Sequence, residues 1–136
     1  MGRVLGVDYG DRRIGLALSD PLHWFASPFR TLRNEGAEKV VNMLKTIIEE
    51  QDVEQVVVGI PKGMQDQETP QTRKVLAFVT YLKQQGIPVL LEDERLSSVS
   101  ARRVLQEKKI KTGHAKGLVD RTAAAIVLQQ YLDRTR

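Results

Sequence analysis

At 136 residues, 41% hydrophobic and 28% charged with a net charge of +4, the chain suits one domain spanning residues 1–136, with a core of its own. It has no cysteine, which excludes a disulfide framework, a thiolate zinc site and a cysteine nucleophile. No apolar stretch approaches the ~20 residues of a membrane span and no signal-peptide arrangement precedes Arg3, so a cytoplasmic protein without membrane partners is the expectation.

Residues 3–9 and 13–19 are apolar runs joined by a polar turn at Gly10, the pattern of a β-hairpin. Trp24, Phe25, Phe29, Thr31 and Leu32 suggest a third strand, placed at a sheet edge because Pro28 cannot donate to a ladder. Asn34, Glu35 and Gly36 form a turn. Ala37, Val40, Val41, Leu44, Ile47 and Ile48 recur with helical spacing and make one apolar stripe. Residues 54–60 read as a strand buried on both faces, ended by Pro61. A loop over residues 61–70 carries Lys62, Gly63, Asp66 and Glu68. Pro70 then opens a helix with Val75, Leu76, Val79 and Leu82 on its apolar face. After Gly86, residues 87–91 predict another buried strand that runs into Glu92, Asp93, Glu94 and Arg95. Ser97 or Ser98 caps a helix to about Glu107, residues 108–117 read as a mobile basic loop, and a last helix runs from near Leu118 to near Leu132. The implied fold is α/β: three antiparallel strands, then two parallel strands through right-handed crossovers. This makes a mixed five-stranded sheet with helices on both faces.

Residues 95–136 hold ten Lys and Arg against three Asp and Glu, whereas residues 1–94 hold eleven against fourteen. The basic third is either a polyanion-binding face or a solvated helix surface. Acids stand at three element ends. Asp8 lies at the end of the first strand, where a turn-forming role competes with a ligand role. Asp93 and Glu94 follow the last strand, at the carboxyl end where open α/β sheets bind ligands. Strand parity sends these two to opposite faces and leaves open which one meets Asp8. Asp120 sits in the first turn of the last helix, in line with Ala123, Ala124, Val127 and Tyr131. The small residues Ala123, Ala124 and Ala125 let that helix approach the sheet closely. His23 and His114 stand in loop-like segments and are expected to be exposed, so hard oxygen ligands for Mg²⁺ or Mn²⁺ are the expectation if the acids converge. Carboxylates beside a basic face suit two-metal phosphoryl chemistry.

The motifs resemble those of the YqgF, or RuvX-like, family. Asp8-Tyr9-Gly10 with Arg13-Ile14-Gly15-Leu16-Ala17 and Ser19-Asp20 is similar to its opening motif. Val58-Gly59-Ile60-Pro61 with Met64 and Pro70 is similar to the second, although Gly63 stands in place of Asn and Asp66 and Thr69 in place of glycines. Asp93 to Ser98, and Asp120 followed by Ala123, Ala124, Ile126, Leu128, Gln129, Tyr131 and Leu132, are similar to the third and fourth. The resemblance implies an RNase H-like fold and a nuclease that processes the 5′ end of pre-16S rRNA, with ribosomal association, or resolves Holliday junctions. It implies catalytic and metal-ligand roles for Asp8, Glu94 and Asp120, and substrate contacts from Lys62, Arg95, Lys108, Lys109 and Lys111.

Two readings of other classes stand beside it. A sugar-kinase or actin-like nucleotide site opens with a similar hairpin but needs two such domains, and 136 residues supply one. A non-catalytic nucleic-acid-binding module has no use for acids that would repel phosphate.

Overall fold

The computed structural model describes residues 2–61, 69–94 and 113–136. Within them the order is β1 (Arg3–Tyr9), β2 (Arg13–Ser19), β3 (Ala26–Arg33), α1 (Ala37–Glu50), β4 (Val53–Ile60), α2 (Pro70–Gln84), β5 (Val89–Asp93) and α3 (Gly113–Thr135). The helix expected from Ser97 or Ser98 to Glu107 lies outside the described residues, as do Lys62, Arg95, Lys108, Lys109 and Lys111.

The sheet has the order β3-β2-β1-β4-β5. β2 is antiparallel to both β1 and β3, while β4 is parallel to both β1 and β5. The carboxyl ends of β1, β4 and β5 and the start of β2 therefore meet at one end of the sheet.

Alternation along β1 assigns its two faces. Leu5 and Val7 join the larger core with Leu44 of α1 and Leu82 of α2. Val4 joins the second core with Leu128 and Leu132 of α3. Helices thus cover both faces, as the sequence implies. Val40, Val41, Leu44 and Ile47 of α1 are fully buried, at about 1.5–3 kcal/mol each, and this burial outweighs any local helix propensity. α2 begins where the Thr69 hydroxyl accepts the Thr72 amide at 3.2 Å, with Pro70 in a first-turn position that needs no N–H.

Four expectations are corrected. β3 is the expected edge strand, but Trp24 and Phe25 precede it and are 50% and 70% exposed. Asp20 Oδ1 accepts the amides of both residues at 2.8 Å, which folds this segment into a turn instead. His23, expected to be exposed, is half-buried there, with Nε2 2.7 Å from the Gly2 carbonyl and 3.0 Å from Glu54 Oε1. Pro28 enters the ladder at the register break between Leu16 and Ala17, where a missing donor is tolerated.

β5 runs two residues later than expected and is the other edge, so Leu90 and Leu91 are 44% and 39% exposed rather than buried. α3 starts at Gly113, inside the expected basic loop. The Thr31 hydroxyl donates to the Gly117 carbonyl at 2.5 Å and the Arg121 guanidinium donates to Thr31 at 3.2 Å. These ties to β3 override the poor propensity of two glycines. No helix among the described residues is long and apolar enough to cross a membrane.

The Asp20 turn makes a prediction. Its amide donors, Phe25 first, hold the Asp20 carboxyl below its ordinary value of 3.8. A depressed carboxyl contributes stability that is complete above its unfolded value and is lost as pH falls through the folded one. Asp20→Ala is expected to lower the melting temperature at neutral pH and to flatten the acid limb of stability below about pH 4. Thermal melts across pH would show this as a gap between variant and parent that closes at the acid end.

Candidate active site

Three glycines let α3 lie directly on the sheet. A Cβ at Gly6 would meet Leu128 Cβ at 2.8 Å, one at Gly15 would meet the Asp120 carbonyl oxygen at 2.0 Å, and one at Gly59 would meet both Val127 methyls at 3.2 Å. Ala123 and Ala124 are buried on the helix side, which is the close approach their small size permits.

This floor organises the acids. Asp8 is 5% exposed and, two residues along β1 from Gly6, faces α3. On one side Asp8 pairs with Gly15 of β2, over which the Asp120 backbone passes. On the other side the β1–β4 register ends at Val7 opposite Val58, and one further step sets Gly59 beside Asp8. A Cβ on Gly59 would stand 2.8 Å from Glu94 Oε1. Asp8 thus lies between two glycines, each covered by one of the other acids, and adjacent strands are only about 4.8 Å apart. Glu94 and Asp120 are 8% and 7% exposed.

The open question of parity is answered by the end of β5. Asp93 pairs with Ile60, which belongs to the core under α1 and α2, so Asp93 faces away from α3. Glu94 lies on the α3 face with Asp8 and Asp120. Burial pushes the Glu94 carboxyl up to about 7, and the neighbouring Asp93 charge adds to the shift. Asp120 is not in the first turn of its helix, because α3 begins seven residues earlier; the helix dipole contributes little there.

Several polar residues that the sequence did not mark as functional support the acids. Arg13 Nε donates to Asp120 Oδ2 at 2.5 Å. Glu92, 1% exposed, bonds the Arg134 guanidinium and accepts Gln130 Nε2 at 2.5 Å, and Gln130 also donates to the Asp93 carbonyl at 3.1 Å. These bonds moor the end of β5 to α3. The available signal for Glu92 was its parity with Glu94. From the opening and closing motifs, Ser19 accepts the Val4 amide at 2.8 Å and Gln129 accepts the Ala26 amide at 2.8 Å, so both hold strands rather than chemistry.

Three carboxylates are a hard-oxygen donor set that fits a divalent cation of the Mg²⁺ or Mn²⁺ kind, and a carboxyl raised by burial is one that such a charge draws into its ionised form. Among the described residues, no three His, Asp or Glu side chains are set closely enough to cage an ion as they stand. Asp120 is instead engaged by Arg13. The acids share one face and one end of the sheet without forming a closed cage.

The fold is that of RNase H-like nucleases. The chain is similar over 98% of its length to a RuvC of Thermus thermophilus in complex with a Holliday junction substrate (95% of that chain, TM-score 0.58, 15% identity). It is also similar over 91% to the large terminase nuclease of thermophilic phage G20c (80% of that chain, TM-score 0.56, 16% identity). The family model described as "RuvX: Holliday junction resolvase" matches residues 2–134. A relative from Desulforamulus reducens, named "putative pre-16S rRNA nuclease", is 43% identical over 96% of both chains, and one of the same name from Thermoanaerobacter pseudethanolicus is 41% identical over 96% of both. The chain belongs to the RuvX family and is a nuclease, a hydrolase of phosphodiester bonds.

Proposed function

We propose that Asp8, Glu94 and Asp120 form the catalytic centre of this nuclease, hold Mg²⁺ or Mn²⁺, and serve hydrolysis of structured RNA at the 5′ end of pre-16S rRNA in the cytoplasm. The observation that carries the reading is the placement of Asp8 between Gly15 and Gly59, each covered by another acid. The substrate rests on the names of full-length relatives at about 40% identity.

When bound, the cation supplies activation of water and charge balance for the leaving oxygen. The chain's own residues prepare the rest. Arg13 orients the Asp120 carboxylate and balances its charge beside α3. The Glu92–Gln130–Arg134 cluster holds the strand end from which Glu94 projects. The close seat of α3 keeps bulk water from the carboxylates, which strengthens their hold on any cation. Lys62, Arg95, Lys108, Lys109 and Lys111 are proposed substrate contacts on sequence grounds, since backbone phosphates dominate nucleic-acid affinity.

The test is cleavage of a 5′-extended pre-16S rRNA fragment and of a four-way DNA junction, each with Mg²⁺, with Mn²⁺ and with EDTA. Cutting of the rRNA extension that EDTA abolishes is the expected result. Cutting of the junction alone would replace the substrate by the one in the family model's description. Cutting unaffected by EDTA would overturn the metal role.

A further inference from the structure

A cleft of about 520 Å³ opens on the β2–β3 side of α3, beside the acids. Four arginines from three elements line it: Arg12 and Arg13 where the hairpin re-enters the sheet, Arg33 at the end of β3, and Arg121 on α3. Register sets Arg13 directly across from Arg33. Like charges so placed destabilise a strand pair, a cost that the Asp120 carboxylate offsets at Arg13 and not at Arg33's side of the pair. Its frame is built to hold still. The Asn34 amide donates to the Arg12 carbonyl at 2.8 Å and Asn34 Nδ2 donates to the Gly10 carbonyl at 2.9 Å, tying the hairpin turn to the end of β3. Thr31 anchors the Arg121 guanidinium at 3.2 Å. Arg13 joins the cleft to the acids through Asp120.

We propose that this cleft is a subsite for the phosphodiester backbone that flanks the cleaved linkage, an inference that rests on the nuclease reading. Guanidinium forks match phosphate oxygens in shape and charge, and phosphates between Arg13 and Arg33 turn a repulsion into a bridge. No aromatic ring lines the cleft among the described residues. It is therefore suited to hold backbone without stacking or reading bases. The charge balance of residues 1–94 against 95–136 does not reveal it, because its arginines come from the start of β2, the end of β3 and α3.

The experiment compares the parent chain with an Arg12→Gln/Arg33→Gln double variant. Each is titrated by fluorescence anisotropy against a labelled RNA stem-loop with a single-stranded 5′ extension and against a labelled four-way DNA junction, at several KCl concentrations. For the polymer that the parent holds, affinity is expected to fall about tenfold or more at low salt, and the log–log salt slope to drop by about 1.5. The melting temperature is expected to equal or exceed the parent's, because Arg33→Gln relieves the cross-strand repulsion. A merely structural role would instead lower it. Unchanged affinity and slope in the double variant, with a parent that cuts nucleic acid, would overturn the subsite and leave the nuclease reading standing. The expected loss of binding in the variant, with a parent that cuts neither polymer, would overturn the nuclease reading and with it the place of the cleft beside a cleaved linkage. Binding of neither polymer by the parent would overturn both.

Discussion

Asp8→Asn is expected to slow phosphodiester cleavage by about 10³-fold or more, with a melting temperature at or above that of the parent chain. The side chain is 5% exposed and its strand neighbours are apolar. Asparagine keeps the shape and removes the charge, and charge is what a carboxylate contributes to a cation. Metal stabilisation of a phosphoryl transition state amounts to several kcal/mol, and each 1.36 kcal/mol is tenfold in rate. Stability runs the other way. Desolvation opposes a charge buried on an apolar strand, so removing the charge relieves that cost. Asp93→Asn is the internal control, because Asp93 pairs with Ile60 on the opposite face; its effect on rate is expected to stay within about tenfold. Single-turnover cleavage in Mg²⁺ and Mn²⁺, with melts of the same samples, reads both quantities. Near-parent cleavage by Asp8→Asn in Mn²⁺ would remove Asp8 from the metal role.

The residues that the sequence made legible are those governed by short-range patterns. The hairpin comes out at residues 3–9 and 13–19 because alternation and the Gly10 turn are local. α1 starts at Ala37 as its stripe predicts. The acids of interest were legible as residue types at element ends. Where reading from the chain went astray, a partner distant in sequence decides the outcome. Val89, Leu90 and Leu91 look alike in one dimension, but only Val89 is buried once β5 lies at the sheet edge. Gly113 and Gly117 look like loop residues, yet the Gly117 carbonyl is held by Thr31, 86 positions away. Strand parity could not choose Glu94 over Asp93 without the last residue of β5, and strand ends are the least legible feature of a sequence. The arginine cleft was invisible for the same reason: Arg13 and Arg33 become neighbours only through the register of β2 on β3.

Gly15→Ala is expected to cost about 3 kcal/mol or more of stability and about 10²-fold in cleavage. The added Cβ would stand 2.0 Å from the Asp120 carbonyl oxygen, 2.3 Å from its carbon and 2.8 Å from the Arg121 nitrogen. All three are backbone atoms, so no rotamer change makes room. Either β2 bends away or α3 lifts. Overpacking against side chains costs about 1–3 kcal/mol, and a clash between two main chains belongs at the upper end or beyond. A domain stable by about 5–15 kcal/mol still folds, but with Asp120 displaced from Asp8 by the width of a methyl group. Displacements near 1 Å cost about 10²-fold in catalysis. Gly59→Ala separates the two effects. Its Cβ would meet Glu94 Oε1 at 2.8 Å and the Val127 methyls at 3.2 Å, all side-chain atoms that can yield. The expected loss of stability is about 1 kcal/mol, while Glu94 is pushed from its place over the strand and cleavage falls as in Gly15→Ala. Denaturant melts and cleavage rates on the two variants measure the contrast. Parent-like stability and rate in Gly15→Ala would mean that α3 does not press on β2 at Asp120. The convergence of Asp120 with Asp8, on which the catalytic reading depends, would then fall.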